Sequence, residues 1–168
     1  IEVTEHILED ECTRLNEVFF HYIQTKRPFV VMKYAMTLDG KIATYTGASK
    51  WVTGEQARNH VQEQRHRYTG IMVGVGTVLA DDPLLTCRKA GCKNPIRIIC
   101  DTDLRTPLTA QVVTTAKQAP TILVTCSVDR EKWTGYEEAG CRILPAERKN
   151  GRIDLERLME RLGQEGLD

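Results

Sequence analysis

Three charged residues in one short segment have the types and spacing of an anion-binding or nucleotide-binding loop. Asp81 and Asp82 directly precede Pro83, and Arg88 follows five residues later. Two adjacent carboxylates near a cation are costly to hold in one loop unless a ligand uses them. A solvated turn in which Asp82 precedes the proline explains the acidic pair equally well, so both interpretations stay open at this point.

Arginines upstream of this loop could complete a phosphate site. Arg58, Arg65 and Arg67 lie in a polar segment that is predicted to be helical, and guanidinium groups bind phosphate through paired N–H donors. Together with Arg88 they could form an anion cluster. Arginines scattered over a solvated helix are the alternative.

Lys33 is a second anomaly, because it lies within the apolar run Phe29–Met36. An ammonium group buried in a strand must pair with an anion or lower its pKa. The long side chain could instead reach solvent at the end of the strand.

Gly74 and Gly76 follow a predicted strand, and Thr77 comes next. Such a glycine pair opens backbone N–H groups to a phosphate if a helix begins there. However, Leu79 stands where the dinucleotide-binding fingerprint has its third glycine. A tight strand-to-helix connection that needs positive φ at a glycine is the competing interpretation.

The elements that must position these residues alternate between helices and strands. Apolar residues at steps of three and four after Thr4 predict one helix that ends before Pro28, and Phe29–Met36 predicts a buried strand. Further strands are predicted at Gly70–Val75, Ile96–Cys100, Thr121–Cys126 and Cys141–Leu144, and further helices at Thr53–Tyr68 and Ile153–Leu162. This order predicts an α/β fold with a mostly parallel central sheet and flanking helices, in which ligands bind at the carboxyl ends of the strands.

Composition narrows the class of protein. The chain has 168 residues, with 23 Lys and Arg against 23 Asp and Glu. Zero net charge removes the general case for nucleic-acid binding, and neither a basic-then-apolar leader nor a membrane-spanning run is visible, so a cytoplasmic protein is expected. No nucleophile-elbow, Walker or zinc-helix motif occurs, and Cys87 and Cys92 lack a second ligand pair. We therefore predict no metal site.

Three motifs, in family order and spacing, resemble the reductase domain of the bifunctional riboflavin biosynthesis deaminase/reductase family. They are Met32–Ala43, Ser49–Thr53 and Gly76–Arg88, and the likeness extends from Ile1 to about Leu162. By this resemblance, residues 1–26 match the end of the deaminase domain and its connector helix. Residues 27–168 match the N-terminal part of the reductase domain.

The resemblance implies a dihydrofolate-reductase-like fold and a reductase that uses NADPH. The implied reaction reduces the ribosyl group of 5-amino-6-(5-phosphoribosylamino)uracil to ribityl, with hydride delivered to C1′ of the opened sugar. Family positions that contact NADPH match Ala35, Trp51, Thr77, Asp81 and Thr102; those that contact the phosphorylated pyrimidine match Ser49, Arg65, Leu85 and Arg88. Lys33 matches an active-site lysine that could polarise or protonate the sugar. Family members are typically dimers, so a homodimer is expected.

Two departures from the family pattern limit these expectations. In the family, the helix matched by Ile153–Leu162 is followed by a strand ending in a glutamate and by a glycine-rich loop, and this sequence stops at Asp168 before them. The deaminase zinc signature is also absent, so zinc and deamination are expected only of the full-length protein.

Two alternatives remain beside the reductase interpretation. One is a dihydrofolate-reductase-like enzyme acting on another pyrimidine or pteridine, against which the phosphate-oriented Arg65 and Arg88 argue. The other is a truncated fragment that binds nucleotide or dimerises without turnover.

Overall fold

Four parallel strands form the central sheet of a unit that extends from Met32 to Ile153. The computed structural model describes residues 2–168. The strands lie side by side in chain order: β1 (Gly70–Gly74), β2 (Ile96–Cys100), β3 (Thr121–Thr125) and β4 (Arg142–Pro145). All five residues of β3 are buried, as is typical of parallel strands that are covered on both faces. The predicted parallel α/β sheet is confirmed.

Helices and a small hairpin complete this unit. The helices are α3 (Glu55–Arg67), α4 (Val75–Asp81), α5 (Gln111–Thr114) and α6 (Arg130–Ala139), and the hairpin joins β5 (Arg148–Lys149) to β6 (Arg152–Ile153). The core includes Val78 of α4, Ile99 of β2, Val112 of α5, Leu123 of β3 and Trp133 of α6. The core therefore draws on both central strands and on three of the helices.

Most predicted elements of this unit are present, but three were missed: α5, α6 and the hairpin. The signals for α6 are in the sequence, since the Asp129 carboxylate accepts hydrogen bonds from the backbone of Glu131 and Lys132, and Gly140 ends the helix at φ 98°. An acidic N-cap and a C-terminal glycine mark helix ends. α5 has only four residues and leaves little periodicity to detect.

The predicted buried strand Phe29–Met36 is wrong. These residues have no strand assignment, and Val30, Val31 and Met32 are 60%, 51% and 78% exposed. Strand-forming side chains favour an extended backbone, but a strand exists only where a neighbouring strand pairs with it. Within residues 2–168 this run has no such partner, since the two sheets contain only β1 to β6.

A second unit combines the N-terminal segment up to Val31 with Asp154–Asp168. It contains α1 (Glu9–Leu15), α2 (Glu17–Thr25) and α7 (Leu155–Gln164). The single N-terminal helix that the sequence predicts is therefore two helices, α1 and α2. The break falls at Asn16, whose side-chain amide donates to the Cys12 carbonyl at 2.9 Å and competes with the helical backbone. Tyr22 donates its hydroxyl hydrogen bond to the Gly163 carbonyl at 2.9 Å, which joins α2 to α7. The domain boundary after residue 26 stays a prediction.

None of the helices in the described part of the chain combines the length and apolarity needed to cross a membrane.

Arg97, in the central strand β2, is a buried cation. Its side chain is 0% exposed, and burial lowers its pKa. One guanidinium nitrogen donates to the Leu84 carbonyl at 3.0 Å and to the Thr115 hydroxyl at 2.8 Å, and the other donates to the Ala119 carbonyl at 2.7 Å. Arg97 thus fastens the loop after α4 to the sheet through neutral acceptors.

Replacing Arg97 with methionine is expected to lower the free energy of unfolding by about 2 kcal/mol, because buried acceptors lose their donor. The exposed Arg105, replaced in the same way, should change it by less than about 0.5 kcal/mol. Urea denaturation followed by circular dichroism measures both. Equal values for the two variants would show that Arg97 does not fasten the loop.

Candidate functional site

A cavity of ≈ 540 Å³ opens beside α3 in the larger unit. Its wall carries five cationic side chains and one carboxylate, that of Glu55; the cations are Lys33, Arg58, Arg65, Arg88 and Lys89. A concave surface with this excess of positive charge raises the local concentration of anions. The cavity is therefore suited to an anionic small molecule.

Arg65 is the most constrained of these cations. It is half-buried on α3, and its Nη1 donates to the Thr86 carbonyl at 2.8 Å. Its Nε is buried without a hydrogen-bond partner. Burial, and then the nearby Arg88 guanidinium, lower the pKa of Arg65.

Arg65 and Arg88 line the cavity but form no ion pair with its one carboxylate, Glu55. Among residues 2–168, no Asp or Glu lies within ion-pair distance of either side chain. Two neighbouring guanidinium groups repel each other, and an anion bound between them would remove that cost.

The loop that carries Arg88 is held by side chains of α3. The Arg88 amide donates to Gln62 Oε1 at 2.9 Å, and the Lys93 amide donates to His66 Nδ1 at 3.0 Å. Lys89 pairs with Glu63 at 2.7 Å, which raises the pKa of Lys89 and lowers that of Glu63 through their hydrogen bond. Since that pair is exposed, its contribution to stability is small. The two backbone contacts set the position of Arg88.

Replacing Gln62 with methionine should loosen this loop, because the Arg88 amide loses its acceptor. Hydrogen exchange at the Arg88 amide is expected to quicken by about fivefold, the effect of one lost hydrogen bond. Gln64 provides the matched control, since its side-chain amide hydrogen-bonds to the His60 ring on the same helix, at 2.9 Å, and not to the loop that carries Arg88. If the Arg88 amide exchanges as fast in Gln64→Met as in Gln62→Met, the Gln62 side chain does not hold the loop.

Lys33 lies on the cavity wall and is exposed. Of the two interpretations of Lys33, the one in which its side chain reaches solvent holds, because its segment has no partner strand to bury it. An exposed lysine on the wall of a cationic cavity is available to a ligand. Trp51 lines the same cavity with its side chain 75% exposed.

A second group of predicted residues gathers at the carboxyl edge of the sheet. Gly74 ends β1 opposite Cys100, which ends β2, so Thr77 in α4 and Thr102 after β2 follow neighbouring strand ends. Gly74 has φ −79°, so the expected positive φ is wrong there. A Cβ atom at Gly74 or Gly76 would meet nothing within 4 Å. The backbone at this edge is open to a ligand.

The structure thus divides the predicted site residues. Lys33, Trp51, Arg65 and Arg88 line the cavity. Thr77 and Thr102 follow the carboxyl ends of β1 and β2, and Asp81 is the last residue of α4. Ala35 and Ser49 are outside the cavity wall. Leu85 is in the core, with 5% of its surface exposed and a φ of 56°.

Two further observations complete the site. The carboxylate of Asp82 accepts a hydrogen bond from the backbone amide of Gln111 at 2.8 Å, so this aspartate joins the loop after α4 to the first residue of α5. Cavity residues absent from the predicted set include Glu55, Asn59 and Gln62. Together with Arg65 they follow one another at steps of four, three and three residues, which places all four on one face of the helix. The sequence therefore contained a pattern from which these cavity residues could have been predicted.

In the part of the chain described, no group of three or more His, Cys, Asp or Glu side chains could hold a metal ion.

Comparison with known proteins gives one consistent family. Residues 28–168 match the RibD C-terminal domain family. The chain is 53% identical over 168 residues to the riboflavin biosynthesis protein RibD of Actinobacillus pleuropneumoniae, covering 100% of this chain and 45% of that protein. It is 39% identical over 146 residues to a 2,5-diamino-6-ribosylamino-4(3H)-pyrimidinone 5′-phosphate reductase of Methanothermobacter thermautotrophicus, covering 84% and 65%.

A solved structure shows the same fold. It is a diaminohydroxyphosphoribosylaminopyrimidine deaminase/5-amino-6-(5-phosphoribosylamino)uracil reductase from Thermotoga maritima, with a TM-score of 0.80 and 36% identity. The match covers 99% of this chain and 44% of that one, so the chain spans less than half the length of these bifunctional proteins. The resemblance found in the motifs is confirmed: the chain belongs to the RibD C-terminal domain family and has its dihydrofolate-reductase-like fold.

Proposed function

We propose that this chain is part of a riboflavin biosynthesis reductase that uses NADPH to reduce the ribosyl group of 5-amino-6-(5-phosphoribosylamino)uracil to ribityl. Family membership and relatives named as phosphate reductases support the reaction class. The observation that carries the substrate assignment is the cavity in which Arg65 and Arg88 lie without carboxylate partners beside Lys33.

The two arginines bind the ribose phosphate in this proposal. A phosphate between Arg65 and Arg88 would receive charge-assisted hydrogen bonds and relieve their mutual repulsion. The alternative substrate, an unphosphorylated pteridine, leaves two unpartnered cations in the cavity and is therefore disfavoured. The Gln62 contact with the Arg88 backbone keeps one arginine at a fixed distance from the helix that carries the other.

The residues present fit NADPH on three observations. Trp51 exposes an apolar ring on the cavity wall, the glycine backbone at the end of β1 is open, and Thr77 and Thr102 supply hydroxyl groups at the same edge. Those residues and Asp81 would hold the cofactor, together with the backbone near Ala35. When bound, NADPH supplies the hydride for the reduction.

Lys33 is the proposed proton donor. Its exposed Nζ can approach an oxygen or nitrogen of the opened sugar from the cavity wall and stabilise charge that develops there. From the family resemblance, Ser49 and Leu85 are proposed to contact the pyrimidine substrate. Much of the rate is expected to come from holding the two reactants together, since the cofactor carries the reducing equivalent.

Other properties remain predictions from the resemblance. They are the homodimer and the zinc-dependent deaminase activity of the longer protein; the cytoplasmic location stays a prediction from the composition of the sequence.

Fluorescence titration with NADPH, with and without ribose 5-phosphate, tests the proposal. Saturable NADPH binding, and binding of ribose 5-phosphate but not of ribose, are the expected results. If the protein bound neither NADPH nor ribose 5-phosphate, the reductase proposal for this cavity would be overturned. Saturable binding without any reduction of the full substrate would favour the alternative of a nucleotide-binding fragment.

A further inference from the structure

Trp51 has an unusual backbone for a large aromatic residue. Its φ is 64°, in the left-handed region that bulky side chains rarely adopt. Its indole is 75% exposed, so core packing does not hold it in place. A strained and exposed residue keeps one geometry only when neighbouring groups fix it.

Arg58 contacts both ends of the short segment that contains this tryptophan. Its guanidinium carbon lies 4.4 Å from the centroid of the Trp51 ring, and its Nη1 donates to the Thr53 carbonyl at 2.5 Å. The flat guanidinium group can stack and donate at the same time, which an ammonium group cannot do. Arg58 is itself half-buried on α3. One side chain therefore connects the segment to the helix that carries Arg65.

We propose that Arg58 is a positioning residue that fixes the indole of Trp51 as a wall of the cavity for the cofactor. This inference rests on the proposed function, because it assigns the held indole to NADPH. Arg58 then acts through Trp51, whereas Arg65 and Arg88 bind the phosphate of the substrate.

The chain contains a matched control for this pair. It has two tryptophans, and the second, Trp133, lies in the core with the Arg130 guanidinium carbon 4.0 Å from its ring centroid. Arg58→Met should therefore lower the fluorescence anisotropy of Trp51 and increase its quenching by acrylamide in the ligand-free protein. Arg130→Met should leave the Trp51 signal unchanged.

NADPH affinity gives the second readout. The Kd for NADPH is expected to rise about tenfold in Arg58→Met and less in Arg58→Lys, and to stay within about twofold of the original value in Arg130→Met. The Arg58→Met effect should disappear when Trp51 is already leucine, because a positioning residue then has nothing to position. Binding of ribose 5-phosphate should change less than NADPH binding in the Arg58 and Trp51 variants, and should stay unchanged in Arg130→Met, whose side chain is outside the cavity wall.

Three results would overturn the inference. They are an unchanged Trp51 anisotropy in Arg58→Met, an unchanged Kd for NADPH, or an equal loss of affinity in the Trp51→Leu background, which would make Arg58 a direct anion ligand. If the unmodified chain does not bind NADPH, the proposed function fails and so does the cofactor part of this inference. The anisotropy of the ligand-free protein still shows separately whether Arg58 holds the indole.

Discussion

Replacing Arg65 with methionine is expected to raise the Kd for ribose 5-phosphate by about 100-fold, which corresponds to about 2.7 kcal/mol. Arg65 is half-buried, has a buried Nε without a partner, and lies close enough to Arg88 for the two charges to interact. A phosphate bound there loses one of its two guanidinium partners in the variant. Isothermal titration calorimetry measures the change.

Arg67 on the same helix is the control for this prediction. Its guanidinium lies over the Tyr68 ring and outside the cavity wall, so Arg67→Met should bind ribose 5-phosphate like the original protein. Thermal unfolding of Arg65→Met identifies any general loss of structure. Retained phosphate affinity in a folded Arg65→Met variant, or an equal loss in Arg67→Met, would contradict the assignment of Arg65.

Replacing Lys33 with methionine is expected to lower kcat by about 100-fold or more while the Kd for NADPH changes less than about twofold. Lys33 lies on the wall of the same cavity as both arginines, and a proton donor acts mainly in the transition state. Steady-state kinetics and NADPH titration on the same preparation separate the two quantities. Equal losses in kcat and NADPH affinity would remove the catalytic assignment.

Two further variants sharpen the Lys33 prediction. Lys33→Arg keeps the positive charge but releases a proton far less readily, so it should not restore kcat if Lys33 donates a proton. Lys41 is also exposed but is not on the cavity wall, so Lys41→Met should keep normal kinetics. Recovery of kcat in Lys33→Arg would mean that charge alone is required.

The sequence predicts the sheet well because its strands are short apolar runs bounded by turns. Whether such a run pairs with a neighbouring strand depends on other parts of the chain. This explains why the strand predicted at Phe29–Met36 is wrong. Lys33 and Arg97 both occupy apolar runs, yet Lys33 is exposed and Arg97 is fully buried. Only the order of strands in the sheet, which no local pattern contains, distinguishes a central strand from an unpaired segment.

In the candidate site, too, some features could be predicted from the sequence and others could not. Arg65 and Arg88 were predicted as a phosphate pair, and the structure places both on one cavity wall. The hydrogen bond from the Arg88 backbone to the Gln62 side chain could not be predicted, because it joins two segments that are distant in the sequence. The stacking of Arg58 on Trp51 likewise depends on the tertiary course of the segment that precedes α3.

Reduction of the proposed substrate with NADPH that carries two deuterium atoms at C4 tests the central claim most directly. We expect NADPH oxidation and a product that has gained one deuterium and one hydrogen, with the deuterium at C1′ of the ribityl chain. The unphosphorylated analogue should react far more slowly. Failure to oxidise NADPH at saturating concentrations of both ligands, or a product without deuterium at C1′, would contradict the account.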